Sequence, residues 1–382
     1  MKILADENIP KARELFAVHG SVKTFQGRDL SPEEVSDADV LLVRSITDVN
    51  QQLLANSTVK FVGTATIGTD HIDLDWLEAN DVGFANAPGC NAIAVAEYVL
   101  SGLFYLSTEF YLDLRHSKVG IIGAGNVGSA LAHRLDILSI PYVLYDPPLA
   151  GVDTTRKYVG LDELASCNIL SCHVPLTIPG QSEWPTKHMI NDSFLSQMTQ
   201  LEYFFNTSRG SVVKTDDLLS WINNNPECHA INDVWENEPN ISADLLEASL
   251  IGTPHIAGHS YEGKVRGTIM LYKAFCKYFA LECDIDEEAL LTDKQPKDVI
   301  KLQTELSYMA AMSQAMWKVY DLRDDDKALR AGLTKDMTAH YDRLRRGYKI
   351  RRECTAHRID EVSAPDGALK TLKQLGFKVA SS

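Results

Sequence analysis

The stretch KVGIIGAGNVGS, residues 118–129, decides the fold. Val119 to Ile122 is a short β-branched run of the kind that fills a buried strand. Gly123, Gly125 and Gly128 follow it at the spacing G-x-G-x-x-G. The first glycine permits the tight turn, the second lets a pyrophosphate approach the backbone, and the third lets the next helix pack close on the strand. The helix predicted from Asn126 to Leu138 begins with unpaired backbone N–H groups and the positive end of its dipole, both of which favour an anion. Gly123, Gly125, Asn126, Val127 and Gly128 are therefore candidate cofactor-binding residues.

The next apolar run, PYVLYD over residues 141–146, ends in Asp146, eighteen residues beyond Gly128. A carboxylate there accepts hydrogen bonds from ribose hydroxyls and repels a 2′-phosphate. No arginine follows it in DPPL, residues 146–149, so the expected cofactor is NAD rather than NADP.

Further along, three segments follow apolar runs: NTSRG (206–210), NDVWENEP (232–239) and GTPHIAG (252–258). They fall where strands end, and open α/β sheets bind their ligands at the C-terminal ends of strands. Oxidising a 2-hydroxy acid requires a base for the hydroxyl proton while hydride leaves C2. A histidine titrating near neutrality suits that role, and a carboxylate on its other nitrogen fixes the tautomer. An arginine grips a substrate carboxylate in two-pronged fashion. His255 is read as the base, Glu238 as its partner and Arg209 as the substrate anchor; Glu236 competes with Glu238 from the same loop.

At 382 residues the chain is long enough for two or three domains. Its seven cysteines are scattered without a C-x-x-C pair, which fits reduced thiols in a cytoplasmic protein; no metal site is expected. The acidic start MKILADE does not suit a signal peptide, and the apolar stretch 92–106 is too short to span a membrane. The net charge of −15 is unevenly spread: residues 291–382 hold 18 Lys and Arg against 13 Asp and Glu, leaving 19 against 39 elsewhere. So acidic a body argues against nucleic-acid binding.

The first 90 residues alternate short apolar runs with helical patterns: strands at 2–5, 38–44 and 60–65, and helices from Pro10 and over 71–80. That rhythm implies βαβ units and a parallel sheet covered on both faces. The helical stretch 91–107 has an apolar face suited to packing between domains, and one long helix is expected over 261–281. After Leu291 the rhythm gives way to helical text as far as Gly347, with room for a strand and a helix in the last 30 residues.

These motifs, with ATIGTDHID (65–73) and HVPL (173–176), make residues 1–285 resemble the D-isomer-specific 2-hydroxyacid dehydrogenase family. MKILADEN (1–8), LVRSIT (42–47), HIAGHSYEGKVRG (255–267) and YDRLRRGYKIRRE (341–353) are similar to one branch of it, which acts on a phosphorylated four-carbon acid. The resemblance implies an α/β fold of two Rossmann-like doubly wound domains plus a C-terminal α+β dimerisation domain. The substrate domain would be 1–92 with 258–290, the inserted NAD domain 93–257 and the dimerisation domain 291–382. It implies oxidation of 4-phospho-D-erythronate, on the route to pyridoxal phosphate, by a homodimer. Arg209, Glu238 and His255 match the family's catalytic positions. Val174, Thr207, Ser208, Asp233 and Gly258 join the glycine loop and Asp146 as NAD-binding positions, while Ser45, Thr66 and His259 match substrate-binding ones. Lys214 stands where the family usually has Asp, and His259 where related sequences often have Tyr.

Six cations fall within ten residues: Arg343, Arg345, Arg346, Lys349, Arg351 and Arg352. The plain expectation is a solvated helix face, or one paired with an acidic partner subunit. The sharper one is that some of them reach the partner's active site and help bind phosphate, a role for which Arg44 competes. The alternatives are a 3-phosphoglycerate or glycerate dehydrogenase and, from another class, a non-enzymatic NAD-sensing corepressor.

Overall fold

The computed structural model describes residues 1–382 except 29, 181, 293–295, 297, 304–305, 334–335, 366 and 381–382. The chain divides into two compact units, residues 1–91 with 260–295 and residues 92–259 with 296–382.

The first unit is built on five strands: β1 (Lys2–Asp6), β2 (Ser21–Phe25), β3 (Val40–Val43), β4 (Phe61–Thr64) and β5 (Gly83–Ala85). They lie in the order β2-β1-β3-β4-β5, and every pairing is parallel. VLLV in β3 and FVGT in β4 are buried at every position because the sheet is covered on both faces. Successive side chains separate cleanly. Ile3, Ala5, Val40 and Leu42 meet Val265, Ile269 and Phe275 of the helix Tyr261–Tyr278, while Leu4, Leu41 and Val43 join Val35, Leu54 and Leu77 on the other side. The helix expected over 71–80 starts later, at Leu74, because Asp73 caps it by accepting the Trp76 N–H at 3.0 Å.

The second unit holds six parallel strands: β6 (Val119–Ile122), β7 (Tyr142–Tyr145), β8 (Ile169–Cys172), β9 (Tyr203–Asn206), β10 (His229–Asn232) and β11 (Ile251–Gly252). Their order is β11-β10-β9-β8-β6-β7, so the winding reverses at β6, which has β7 on one side and β8 on the other. Such a reversal opens a crevice beyond the C-terminal strand ends. The helix Ala92–Glu109, read from its apolar face as packing between domains, is sunk inside this unit's core with Leu131, Leu135, Met312 and Met316. It carries one buried ionisable group. Glu97 accepts the Cys354 N–H at 3.0 Å and has Arg134 at 3.9 Å, yet burial and the nearby Glu353 raise its pKa to about 7.

The tail supplies the helices Tyr308–Val319, Leu322–Arg330, Met337–Arg346 and Ala368–Gln374 and the parallel strands β12 (Val299–Ile300), β13 (Arg358–Asp360) and β14 (Lys378–Ala380). The two-residue β12 is too short to leave a periodic signal in the sequence. Met312, Leu322, Ile359, Leu372 and Phe377 lie in one continuous core with Tyr98, Leu103 and Leu135. Among the described residues, no helix is long and apolar enough to cross a membrane and no cluster of His, Cys, Asp or Glu could hold a metal ion.

Candidate active site

Gly123 closes β6 at φ +90°, where a Cβ would stand 2.9 Å from Val174 and 3.0 Å from the His173 carbonyl carbon, so only glycine fits. Nothing lies within 4 Å of where a Cβ on Gly125 would point, which leaves that side of the loop open to a ligand. Asp146, at the end of β7, accepts the Ala124 N–H at 2.8 Å and the Leu149 N–H at 3.0 Å. Each carboxylate oxygen keeps a second acceptor position for a ribose hydroxyl. The chain's own residues thus fit a dinucleotide, and when bound NAD supplies the hydride acceptor.

Arg156 was not legible beside this loop. It lies ten residues beyond Asp146, yet its Nη1 donates to the Ala124 carbonyl and to Ser129 Oγ, both at 2.9 Å, and its Nε to Asp153 Oδ2 at 2.6 Å. Contiguous sequence shows no arginine after Asp146, but the fold brings one back. Its Nε is held by Asp153, and through Nη1 it braces the glycine loop at Ala124 and Ser129.

The remaining cofactor candidates of this unit lie on the same strand edge: Val174 after β8, Thr207 and Ser208 after β9, Asp233 after β10 and Gly258 beyond β11. His173 ties two of these ends together, with Nε2 at 2.9 Å from Ser171 Oγ and Nδ1 at 2.8 Å from Thr207 Oγ1. Burial lowers its pKa to about 3, so the ring is neutral and joins the two hydroxyls as one donor and one acceptor. Asp233 accepts the Thr253 hydroxyl at 2.6 Å and the N–H groups of Ile256 at 2.8 Å and Ala257 at 2.9 Å.

Those bonds fix the turn that carries His255, whose φ of +55° is a conformation non-glycine residues rarely hold without such support. His255 Nδ1 lies 2.7 Å from Glu238 Oε2, and Glu238 Oε1 accepts the Trp235 N–H at 2.8 Å. Burial pushes the Glu238 pKa up, but the His255 ring, the Trp235 N–H and Arg345 outweigh it and hold the carboxyl below its ordinary range. Glu236, the competitor, turns to His188 instead, with 2.6 Å between Oε1 and Nε2. Arg209 stands at the neighbouring strand end, its Nη1 donating to the Ser208 carbonyl at 2.9 Å. Gly210 brings the two loops together, since a Cβ there would fall 1.8 Å from the Trp235 carbonyl oxygen.

Arg44 and Ser45 follow β3 and Thr66 follows β4, so these three candidates belong to the first unit. Thr66 Oγ1 sits 2.7 Å from Thr64 Oγ1, which in turn reaches His71 Nε2 at 2.9 Å. Lys264, passed over in the sequence, lies near Arg44; burial and that like charge lower its pKa. In the second unit, His259 packs its ring against Tyr348, centroids 5.6 Å apart.

The basic tail fits the expectation of a solvated face only in part. Arg343, Arg346 and Lys349 are exposed, but Arg351 and Arg352 are buried. Arg351 donates to the carbonyls of Ala257 at 2.9 Å and Ala94 at 2.8 Å and lies 3.7 Å over the Tyr320 ring.

Residues 93–257 match the D-isomer specific 2-hydroxyacid dehydrogenase NAD-binding domain, and residues 291–376 match a domain of unknown function. The fold is shared with an NAD+-bound 3-phosphoglycerate dehydrogenase from Entamoeba histolytica (TM-score 0.61, 22% identity, 73% of this chain and 95% of that one). A D-lactate dehydrogenase from Aquifex aeolicus gives 0.57 and 22% over 73% and 96%. The matched NAD-binding domain and the full-length relatives that follow make the chain an NAD-dependent dehydrogenase of the 2-hydroxyacid type. An erythronate-4-phosphate dehydrogenase from Marinobacter nauticus is 40% identical over 99% of this chain and 100% of its own length. One from Proteus mirabilis is 42% identical over 94% of each. The chain belongs to the erythronate-4-phosphate dehydrogenase family.

Proposed function

We propose that the chain oxidises 4-phospho-D-erythronate to (R)-3-hydroxy-2-oxo-4-phosphobutanoate with NAD, a step of pyridoxal phosphate synthesis. The observation that carries the chemistry is the His255–Glu238 pair on the same strand edge as the glycine loop. His255 Nε2 removes the C2 hydroxyl proton, and NAD, when bound, would supply the acceptor for the C2 hydride. Glu238 holds the Nδ1 proton, which fixes the tautomer and stabilises the ring once charged. Arg209 engages the substrate carboxylate. Gly123, Gly125, Asn126, Val127, Gly128, Asp146, Val174, Thr207, Ser208, Asp233 and Gly258 hold the cofactor. Ser45, Thr66 and His259 contact the substrate, and Arg44, joined by Lys264, supplies cationic charge for its phosphate.

In this reading the substrate domain is 1–92 with 258–290, the NAD domain 93–257 and the homodimer-forming domain 291–382; the bounds of the two matched segments support that division. The free cysteines suit a cytoplasmic enzyme. The test is NADH formation from 4-phosphoerythronate, 3-phosphoglycerate, glycerate and lactate, with kcat/KM expected to be highest for the first. A higher value for 3-phosphoglycerate overturns the substrate, and no NADH from any of the four overturns the enzyme.

A further inference from the structure

Past residue 320 the chain returns to the strand edge that carries His255 and meets it at four places. Asp326 Oδ1 accepts the Gly252 N–H at 2.7 Å, and Arg351 holds the Ala257 carbonyl at 2.9 Å. Tyr348 packs edge-on to His259 and is itself anchored through its hydroxyl to Asp325 at 2.7 Å. The fourth place is Glu238, faced by Tyr341 and Arg345, which lie one turn apart on the helix Met337–Arg346. Tyr341 is fully buried, and its hydroxyl has no well-formed hydrogen bond among the described residues; the carboxylate it faces is that of Glu238. Arg345 Nε is likewise enclosed, and its charge bears on both Glu238 and Tyr341.

We propose that Tyr341 and Arg345 are positioning residues, which hold Glu238 in the orientation that presents it to His255 within the same chain. A glutamate has three side-chain torsions, and a single N–H from Trp235 does not arrest them all. The buried Tyr341 side chain occupies space next to the carboxyl, and the Arg345 charge adds to the His255 ring and the Trp235 N–H in favouring the ionised form. Residues 337–346 are then part of the catalytic apparatus in cis, whatever the tail also does between subunits. The inference rests on Glu238 and His255 having the roles given under the proposed function.

The test is a double-mutant cycle on the full-length enzyme with NAD and 4-phosphoerythronate. Arg345→Gln lowers kcat about tenfold with KM for NAD little changed, and Arg345→Lys restores part of the loss; Thr338→Ala, exposed on the same helix, changes nothing. The lower limb of kcat/KM against pH moves upward in Arg345→Gln, because the carboxylate has lost a stabilising cation. In a Glu238→Gln background, Arg345→Gln costs nothing further, since its effect passes through that carboxylate. Tyr341→Leu, which removes the ring beside the carboxyl, carries the same comparison if Arg345→Gln fails to fold, which urea unfolding reveals. Equal losses in both backgrounds, or none in either, overturn this inference alone. Wild-type kcat in Glu238→Gln itself overturns the catalytic assignment and this inference with it.

Discussion

His255 Nδ1 stands 2.7 Å from Glu238 Oε2, while Glu236, two residues earlier, is turned to His188. The alternation of carboxylates in one loop thus sends two acids to two different imidazoles. Glu238→Gln is expected to lower kcat roughly 10²-fold by weakening the hold on the tautomer, and replacing His255 by Asn to lower it further. Glu236→Gln is expected to change kcat little, because its partner is another histidine. Steady-state kinetics on the three variants check the order; equal losses for the two glutamates contradict it.

Asp146 and Arg156 both brace the glycine loop, through the Ala124 N–H and the Ala124 carbonyl respectively. Asp146→Ala removes the proposed ribose acceptor together with a cap and a loop contact, and is expected to raise KM for NAD about tenfold or more. Arg156→Gln loses only the brace and raises it less. Kinetics with NAD and NADP separate the two effects, since only loss of the carboxylate relieves repulsion of a 2′-phosphate.

Gly210→Ala puts a Cβ into the backbone carbonyl of Trp235. Backbone cannot yield as a side-chain tip can, so the loops bearing Arg209 and Glu238 must part. The expected cost is about 2–3 kcal/mol of stability, with a fall in kcat. Urea unfolding and turnover measure the two.

Glu97 makes stability depend on pH. Buried within the second unit, it keeps its proton to about pH 7, whereas an ordinary glutamate loses it near 4.5. Between those values the unfolded chain binds fewer protons at this site, so its contribution falls as pH rises from about 4.5 to about 7 and is level above. The groups facing it are Glu353, Arg134 and Arg351, with the Cys354 N–H. Glu97→Gln is expected to remove that slope, on the order of 2 kcal/mol. Urea midpoints at about pH 5 and about pH 8 provide the check.

What the chain determined locally is what local spacing can encode. The Val119–Ile122 run and the three glycines that follow dictate a strand, a tight turn and a helix wherever they occur, because each rests on neighbouring backbone geometry. The apolar runs at β3, β4, β9 and β10 likewise announce buried parallel strands. Tertiary structure decided everything that joins residues remote in the chain. It turned Glu238 rather than Glu236 toward His255, brought Arg156 back to the glycine loop, and sank the helix Ala92–Glu109 into one core with the tail. It also buried Arg351 and set Arg345 beside Glu238, where a run of cations had suggested a wet helix face. The reason is physical: charge and periodicity show which side of an element is polar, but only packing decides which other element meets that side.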